Sequence, residues 1–345
     1  MKIAIVNNFV PFIYGGAEFL ADSLRNKLIE YGYKATVIKI PLKWYPPQKI
    51  LEHMLACRLM RFENIDRLIA LKFPVYYVKH PNKVLWLLHQ FRQAYELWGT
   101  PYQDIPDTPE GLKIREAVIH ADNTFLQEVK KIYTNSKTVS NRLKKFNDID
   151  SEVLYPPLMN AGEYYCEEYS DYIFYPSRIT RCKRQYLAVE AMRYIKSNIK
   201  LLIAGNPDSE EELKYVESTV RKNNLESKVK IMGRWISQAE KIKLFANALG
   251  CIYIPYDEDS YGYVSLEAYH SRKPVITCTD SGGTLEVVED GVSGFVVPPE
   301  PEAIAETVDK LFYSKALAAK MGQRGYEKLL SMKITWDNVI HRLTK

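Results

Sequence analysis

The sequence predicts an α/β protein made of two doubly wound parallel sheets in tandem. Strand-length apolar segments alternate with amphipathic helical segments along the chain. The strands are near-continuous apolar runs, as in parallel sheets buried on both faces. The alternation halts once, at Pro156-Pro157 and the polar, Tyr-rich stretch Asn160–Asp171, and then restarts. At ~100–200 residues per domain, 345 residues suit two domains.

In chain order, β-branched Lys2–Val6 reads as the first strand rather than a signal peptide, with Asn7–Tyr14 as its loop. Ala17–Tyr31 places Leu20, Leu24 and Leu28 on one helical face, and Gly32 ends it. Strands follow at Lys34–Ile40, Arg67–Leu71, Val84–Leu88, Lys131–Thr134 and Glu152–Tyr155. The second half yields strands at Tyr172–Tyr175, Lys200–Ala204, Lys228–Met232, Cys251–Ile254, Pro274–Thr277 and Phe295–Val297. Its helices fall at Lys183–Ile195, Ser209–Asn223, Gln238–Ala248 and Val264–His270. Pro301–Leu317, broken by a turn, and Thr335–Leu343 finish the chain. The expected domains are 1–157 and 158–330, with 331–345 packing back toward the first.

Composition is that of a soluble globular protein, 46% hydrophobic and 26% charged. No apolar run approaches the ~18–20 residues of a membrane span. The five cysteines form no CxxC pair, which points to a reducing, cytoplasmic setting and away from disulfides or structural zinc. Positive charge is concentrated early, with 12 basic and 4 acidic side chains between residues 25 and 83. That field suits an anionic membrane surface or a phosphorylated acceptor, or is a solvated Lys-rich face. The C-terminal half is not basic, which disfavours nucleic acid.

In doubly wound folds ligands sit beyond the C-terminal strand ends, so the loops there are the candidates. Pro11–Glu18 contains Gly15-Gly16 at a strand-to-helix loop, either a phosphate approach or a simple tight turn. It is not GxGxxG, which disfavours a dehydrogenase. Tyr175–Lys183 carries Arg178 and Lys183, placed either to pair with a diphosphate or as solvated surface charge. The strongest segment is Pro255–Ala268. An acidic loop (Asp257-Glu258-Asp259) turns at Gly262 into a helix whose first N–H groups, near Tyr263 and Val264, suit a phosphate. Glu267 lies about one turn inside that helix, where a carboxylate can accept from a ribose diol. The alternatives are a capping Asp259 and a solvated Glu267.

Asp259–Ile276, with Thr279–Gly291 and Gly294–Pro298 downstream, resembles the retaining glycosyltransferases of family 4. Their motif is two Glu separated by seven residues, then Ala, a short turn and Lys/Arg-Pro-Val-Ile. The resemblance is specific in the second half and looser in the first. It implies a GT-B fold, two Rossmann-like domains facing a cleft. It further implies that Glu267 holds the donor ribose and that Asp259 lies by the donor sugar. Asp259 departs from the usual Glu, with Glu258 as a neighbouring substitute. Ser260-Tyr261-Gly262 stands where the family often has Gly-Phe-Gly, so Tyr261, Gly262, Tyr263 and Val264 form the donor turn. Arg178 and Lys183 match the pyrophosphate pair, and Gly15 and Gly16 the loop at the donor phosphate.

His89 matches a histidine near both sugars, or is structural. Arg92 is assigned to an anionic acceptor. Asn135 lines the cleft, or Asn135-Ser136 caps the next helix. Arg234 and Trp235 meet the base, or Trp235 is a core anchor. Residues Gln48–Phe62 carry Ile50, Met54, Leu55, Leu59 and Phe62 beside Lys49, Arg58 and Arg61, a stripe for a membrane or for its own domain.

The expected activity is transfer of a sugar from a nucleotide-diphosphate sugar to a saccharide or lipid-linked acceptor, with retention and no metal or other cofactor. Asp259, His89 and Glu258 would act on the sugars, in the cytoplasm or at the inner membrane face, in polysaccharide or glycoconjugate synthesis. The rival readings are a GT-B sugar-nucleotide epimerase, which needs no acceptor, and a catalytically weak nucleotide-sugar-binding protein.

Overall fold

The computed structural model describes residues 1–12, 14–42 and 45–345; Ile13 of the predicted glycine loop lies outside the described residues. The chain forms two compact units, residues 1–157 with 334–345, and residues 158–333.

The first unit contains β1 (Lys2–Phe9), α1 (Gly16–Glu30), β2 (Lys34–Pro41), α2 (Lys49–Leu59), β3 (Arg67–Ala70), β4 (Lys83–Leu87), α3 (Pro109–Phe125), β5 (Lys131–Thr134), α4 (Lys137–Asn147) and β6 (Glu152–Val153). Its sheet is parallel, in the order β2-β1-β3-β4-β5-β6. The order reverses at β1/β3, the switch point where such sheets open a crevice.

The second unit contains β7 (Tyr172–Pro176), α5 (Gln185–Ala191), β8 (Lys200–Ala204), α6 (Glu210–Lys222), β9 (Val229–Met232), α7 (Gln238–Asn247), β10 (Gly250–Ile252), α8 (Gly262–His270), β11 (Val275–Cys278), β12 (Gly294–Val297), α9 (Pro301–Tyr313) and α10 (Lys315–Ser331). Its parallel sheet runs β12-β11-β10-β7-β8-β9, with the switch point between β7 and β10. The final helix, α11 (Trp336–Thr344), belongs to the first unit. It buries Val339, Ile340 and Leu343, and Arg67 donates to the Leu343 carbonyl at 2.9 Å.

Several boundaries differ from the sequence reading. β1 continues through Asn7 and Asn8, which are buried despite being polar; pairing with β2 outweighs the local composition. The helix expected from Lys183 starts at Gln185 and stops at Ala191. Arg184 takes a left-handed backbone (φ 55°) just before it, ending a single turn over Arg181–Lys183. The turn expected within Pro301–Leu317 falls at Ser314, which accepts from the Leu317 N–H and caps a separate α10 that runs on to Ser331. No helix was expected over Pro109–Phe125. Its signals are plain in retrospect: Thr108 caps it, Pro109 occupies its first turn, and Ile114, Val118 and Ala121 are buried at helical spacing.

Candidate functional site

In the first unit the candidate residues cluster at C-terminal strand ends. Gly15 precedes α1 and donates its N–H to Glu18 Oε2 at 3.0 Å, and Gly16 opens the helix. Glu18 also meets Lys72, just beyond β3, at 3.3 Å. The Gly15 N–H is therefore engaged by a carboxylate, and the loop places Lys72 as a cation sequence reasoning did not single out.

His89 follows β4, with Nδ1 2.7 Å from the Gln90 carbonyl. Beneath it, the wholly buried Asp122 accepts from the hydroxyls of Tyr76 (2.8 Å), Tyr77 (2.6 Å) and Tyr95 (2.7 Å) and from Gln90 Nε2 (3.0 Å). Burial raises the Asp122 carboxyl above its ordinary value, more strongly than these donors lower it. Arg92 donates to Glu96 at 2.8 Å, and Arg142 meets the same carboxylate at 3.0 Å. Asn135 is buried, donates its backbone N–H to the Leu87 carbonyl and has no partner on Oδ1. The cap of α4 is Ser136, which accepts from the Val139 N–H, so the capping alternative for the Asn135-Ser136 pair is met by Ser136.

In the second unit the residues gather at the β7/β10 switch point. Arg178 pairs with Asp208 at 2.9 Å. Lys183 pairs with the Glu258 carboxylate and donates to the Tyr253 hydroxyl at 2.9 Å. The view of Lys183 as solvated charge is thus corrected. Glu258, assigned above to sugar chemistry, is held by a cation assigned to pyrophosphate. Arg184, adjacent in sequence, is a different kind of cation. It is buried and donates to the carbonyls of Ile254 (2.8 Å) and Pro255 (3.0 Å) and to both Asp280 oxygens (2.7 Å each). It welds the loop after β7 to the loops after β10 and β11.

Two glycine positions hold the acidic loop in shape. Gly262, at the start of α8, has φ 67°, and a Cβ there would lie 2.4 Å from the Tyr253 ring. Gly282 has φ 59° and its backbone crosses Glu258 so closely that a Cβ would fall 2.5 Å from the Glu258 carbonyl oxygen. Gly283 donates its N–H to that same carbonyl at 2.8 Å. Asp259 and Tyr261 are buried beside this turn, and Tyr263 and Val264 lie in the first turn of α8. Glu267 is 4% exposed, not solvated as one alternative had it. Tyr164 donates to its Oε1 at 2.9 Å, and Lys241 pairs with the same oxygen.

Arg234 donates to Glu240 at 2.7 Å, and Trp235, in the loop after β9, is 60% exposed, which corrects its reading as a core anchor. The second unit thus presents two cations, a helix N-terminus and a buried carboxylate along one edge of a sheet. Such a set has the chemistry to bind an anion and a polyol together.

Residues 167–328 match the family model described as Glycosyl transferases group 1. Human alpha-1,3/1,6-mannosyltransferase ALG2 is 28% identical over 205 residues, 53% of this chain and 49% of that protein. The chain therefore spans about half the length of that curated relative. Among solved structures, sucrose-phosphate synthase from Thermosynechococcus elongatus superposes with TM-score 0.80 at 18% identity, covering 99% of this chain and 97% of that one. Anabaena HepE in complex with UDP-glucose gives TM-score 0.72 at 15% identity over 100% of this chain and 98% of that one.

Proposed function

From a chain that carries the GT-B fold and whose residues 167–328 match the glycosyl transferases group 1 family model, we propose a glycosyltransferase. It moves a sugar from a nucleotide-diphosphate sugar to a saccharide or lipid-linked acceptor. The observation that carries this reading is the β7/β10 edge, where Arg178, Lys183, the N-terminus of α8 and Glu267 occur together. In it the donor diphosphate meets Arg178, Lys183 and the N–H groups of the first turn of α8, and its ribose meets Glu267. Charge developing on the leaving diphosphate is met by fixed cations and a helix dipole, so the transfer needs no metal. Asp259 faces the transferred sugar, which departs with retention. His89, Arg92 and Asn135 serve the acceptor. HepE, crystallised with UDP-glucose, makes UDP-sugars the first donors to try.

We further read the acceptor as part of polysaccharide or glycoconjugate synthesis at the inner face of a membrane. Among the described residues no helix is long and apolar enough to cross a membrane. On α2, Ile50 and Met54 turn inward, correcting the stripe expected above, while Leu51, Leu55 and Leu59 are exposed at 37%, 59% and 68%. That second stripe, beside Lys49 and Arg61, supports peripheral contact with anionic lipid, whereas Arg58 is paired with Glu128 at 2.6 Å.

The test is transfer of radiolabelled sugar from UDP-glucose, GDP-mannose and related donors to an acceptor panel, with and without EDTA. Acceptor-dependent transfer that survives EDTA and disappears in Glu267→Ala is expected. Donor conversion without acceptor would establish an epimerase instead. Nucleotide binding with no turnover on any donor would leave a binding protein.

A further inference from the structure

The five cysteines fall into two groups. Cys57, Cys251 and Cys278 are buried. Burial pushes the Cys57 and Cys278 thiols up to about 12, and the Cys251 thiol well above its ordinary value. Thiols held so far from the thiolate form are inert. Cys166 and Cys182 are half-buried. Cys166 stands beside an amine: Lys273 Nζ lies 3.2 Å from its sulfur.

Lys273 is wholly buried, in the connection between α8 and β11. Its ammonium donates to the Cys166 sulfur and the Glu168 carbonyl, and sits 3.8 Å from the centre of the Tyr169 ring. No carboxylate pairs with it among the described residues. A buried ammonium held by a carbonyl, a ring and a sulfur is poorly compensated. Burial keeps it below the ordinary lysine value, outweighing the opposite pull of Cys166 and Glu168. The neutral amine, which is the nucleophile, is therefore easier to reach here than on a surface lysine. The segment carrying Cys166 is strapped in place. The N–H groups of Glu167, Glu168 and Ser170 donate to the carbonyls of Ala246 and Asn247, and the Tyr169 hydroxyl donates to the Arg272 carbonyl at 2.9 Å. Sulfur and nitrogen are thus held in contact from two separately anchored segments.

We propose that Cys166 and Lys273 form a peroxide-sensitive modification site that closes a reducible sulfur–nitrogen cross-link. Hydrogen peroxide first oxidises the Cys166 thiol to a sulfenic acid and is itself reduced to water. The Lys273 lone pair then attacks that sulfur. The S–N bond forms, the S–O bond breaks, and the leaving hydroxide takes a proton from the nitrogen as a second water. One peroxide is consumed and the protein loses two hydrogen atoms. Two equivalents of an external thiol restore the thiol and the amine and leave as a disulfide. The linked residues are 107 apart in sequence, so the bond restricts the unfolded chain and stabilises the fold.

The experiment treats the full chain with hydrogen peroxide, with dimedone in a parallel sample to trap sulfenic acid. The protein is alkylated, digested with a glutamate-specific protease and weighed by mass spectrometry before and after dithiothreitol. Expected is a peptide pair joined through Cys166 and Lys273, two hydrogens lighter than the sum of its parts and separated by dithiothreitol. The melting temperature rises with it by roughly 5 °C or more and falls back on reduction. Lys273→Arg keeps the buried cation but has no primary amine. It removes the linked pair and leaves Cys166 open to dimedone, and Cys166→Ser removes both signals. A folded wild type in which dimedone labels Cys166 as fully as in Lys273→Arg, with no linked pair, would overturn the proposal. So would a Cys166 that stays unoxidised while Cys182 reacts, or a linked pair carrying an extra oxygen, which would deny the S–N bond.

Discussion

Neighbouring cations have separate work in this protein. Arg178 and Lys183 are partly exposed and paired with one carboxylate each, so both can exchange that partner for a phosphate. Arg178→Ala and Lys183→Ala should each weaken nucleoside-diphosphate binding by about tenfold while leaving the melting temperature within a few degrees. Wild-type affinity in both would put the donor elsewhere. Arg184 is buried with four acceptors around it, and its loss strands Asp280 and two carbonyls. Arg184→Ala should cost about 3–5 kcal/mol in urea unfolding, a larger loss than for Arg178→Ala or Lys183→Ala. Gly262 adds a backbone constraint. An Ala there meets the Tyr253 ring and a disfavoured φ, so about 1–3 kcal/mol should be lost together with nucleotide affinity.

The elements show why particular loops became sites. α3 carries Asp122 into the core of the first unit, where four donors tie it to the segments around β4, including Gln90 next to His89. Its carboxyl is raised by burial, so the folded protein binds that proton more tightly than the unfolded chain. The associated stability is complete below the ordinary carboxylate value of about 4 and is lost as pH rises through the folded value. The unfolding free energy of Asp122→Asn should therefore decline less over that rise than that of the wild type. Parallel curves in urea titrations at several pH values would contradict this. α2 is a helix with two apolar stripes, one in the core and one exposed. Replacing Leu51, Leu55 and Leu59 by Ser should leave stability nearly unchanged but abolish flotation with phosphatidylglycerol vesicles. Unaltered flotation would remove this helix from any membrane contact.

At the scale of the molecule, chain order and spatial order part at the C-terminus. α11 follows the second unit in sequence but packs into the first, where Tyr133 donates to the Arg342 carbonyl at 3.1 Å and Arg342 pairs with Glu152. Leu343→Ala should cost about 2–4 kcal/mol. Hydrogen exchange should rise across β3, β5 and β6 and stay unchanged across β7–β12; a rise confined to the second unit would contradict this assignment.

The fold class was legible in the sequence because buried parallel strands need continuous apolar runs and their crossover helices need one apolar face. Both are local patterns. The turn at Gly262 was legible for the same reason: a glycine between an acidic loop and an apolar helix states its geometry locally. Strand order, by contrast, is set by which apolar faces pair across tens of residues, and so it emerged only in three dimensions. Which basic residue is buried was equally hidden. Arg178, Arg181, Lys183 and Arg184 read alike in sequence, and only the carbonyls of Ile254 and Pro255 and the Asp280 carboxylate single out Arg184. Glu267 could be named from its motif, but not the partners of its carboxylate. Tyr164 lies 103 residues away and Lys241 lies 26 away. Sequence thus determined where the chain turns and which segments are strand or helix, because those depend on neighbours within a few residues. Tertiary structure alone decided the protonic and ionic partners of each site group, because they arrive from elements the chain visits at widely separated points.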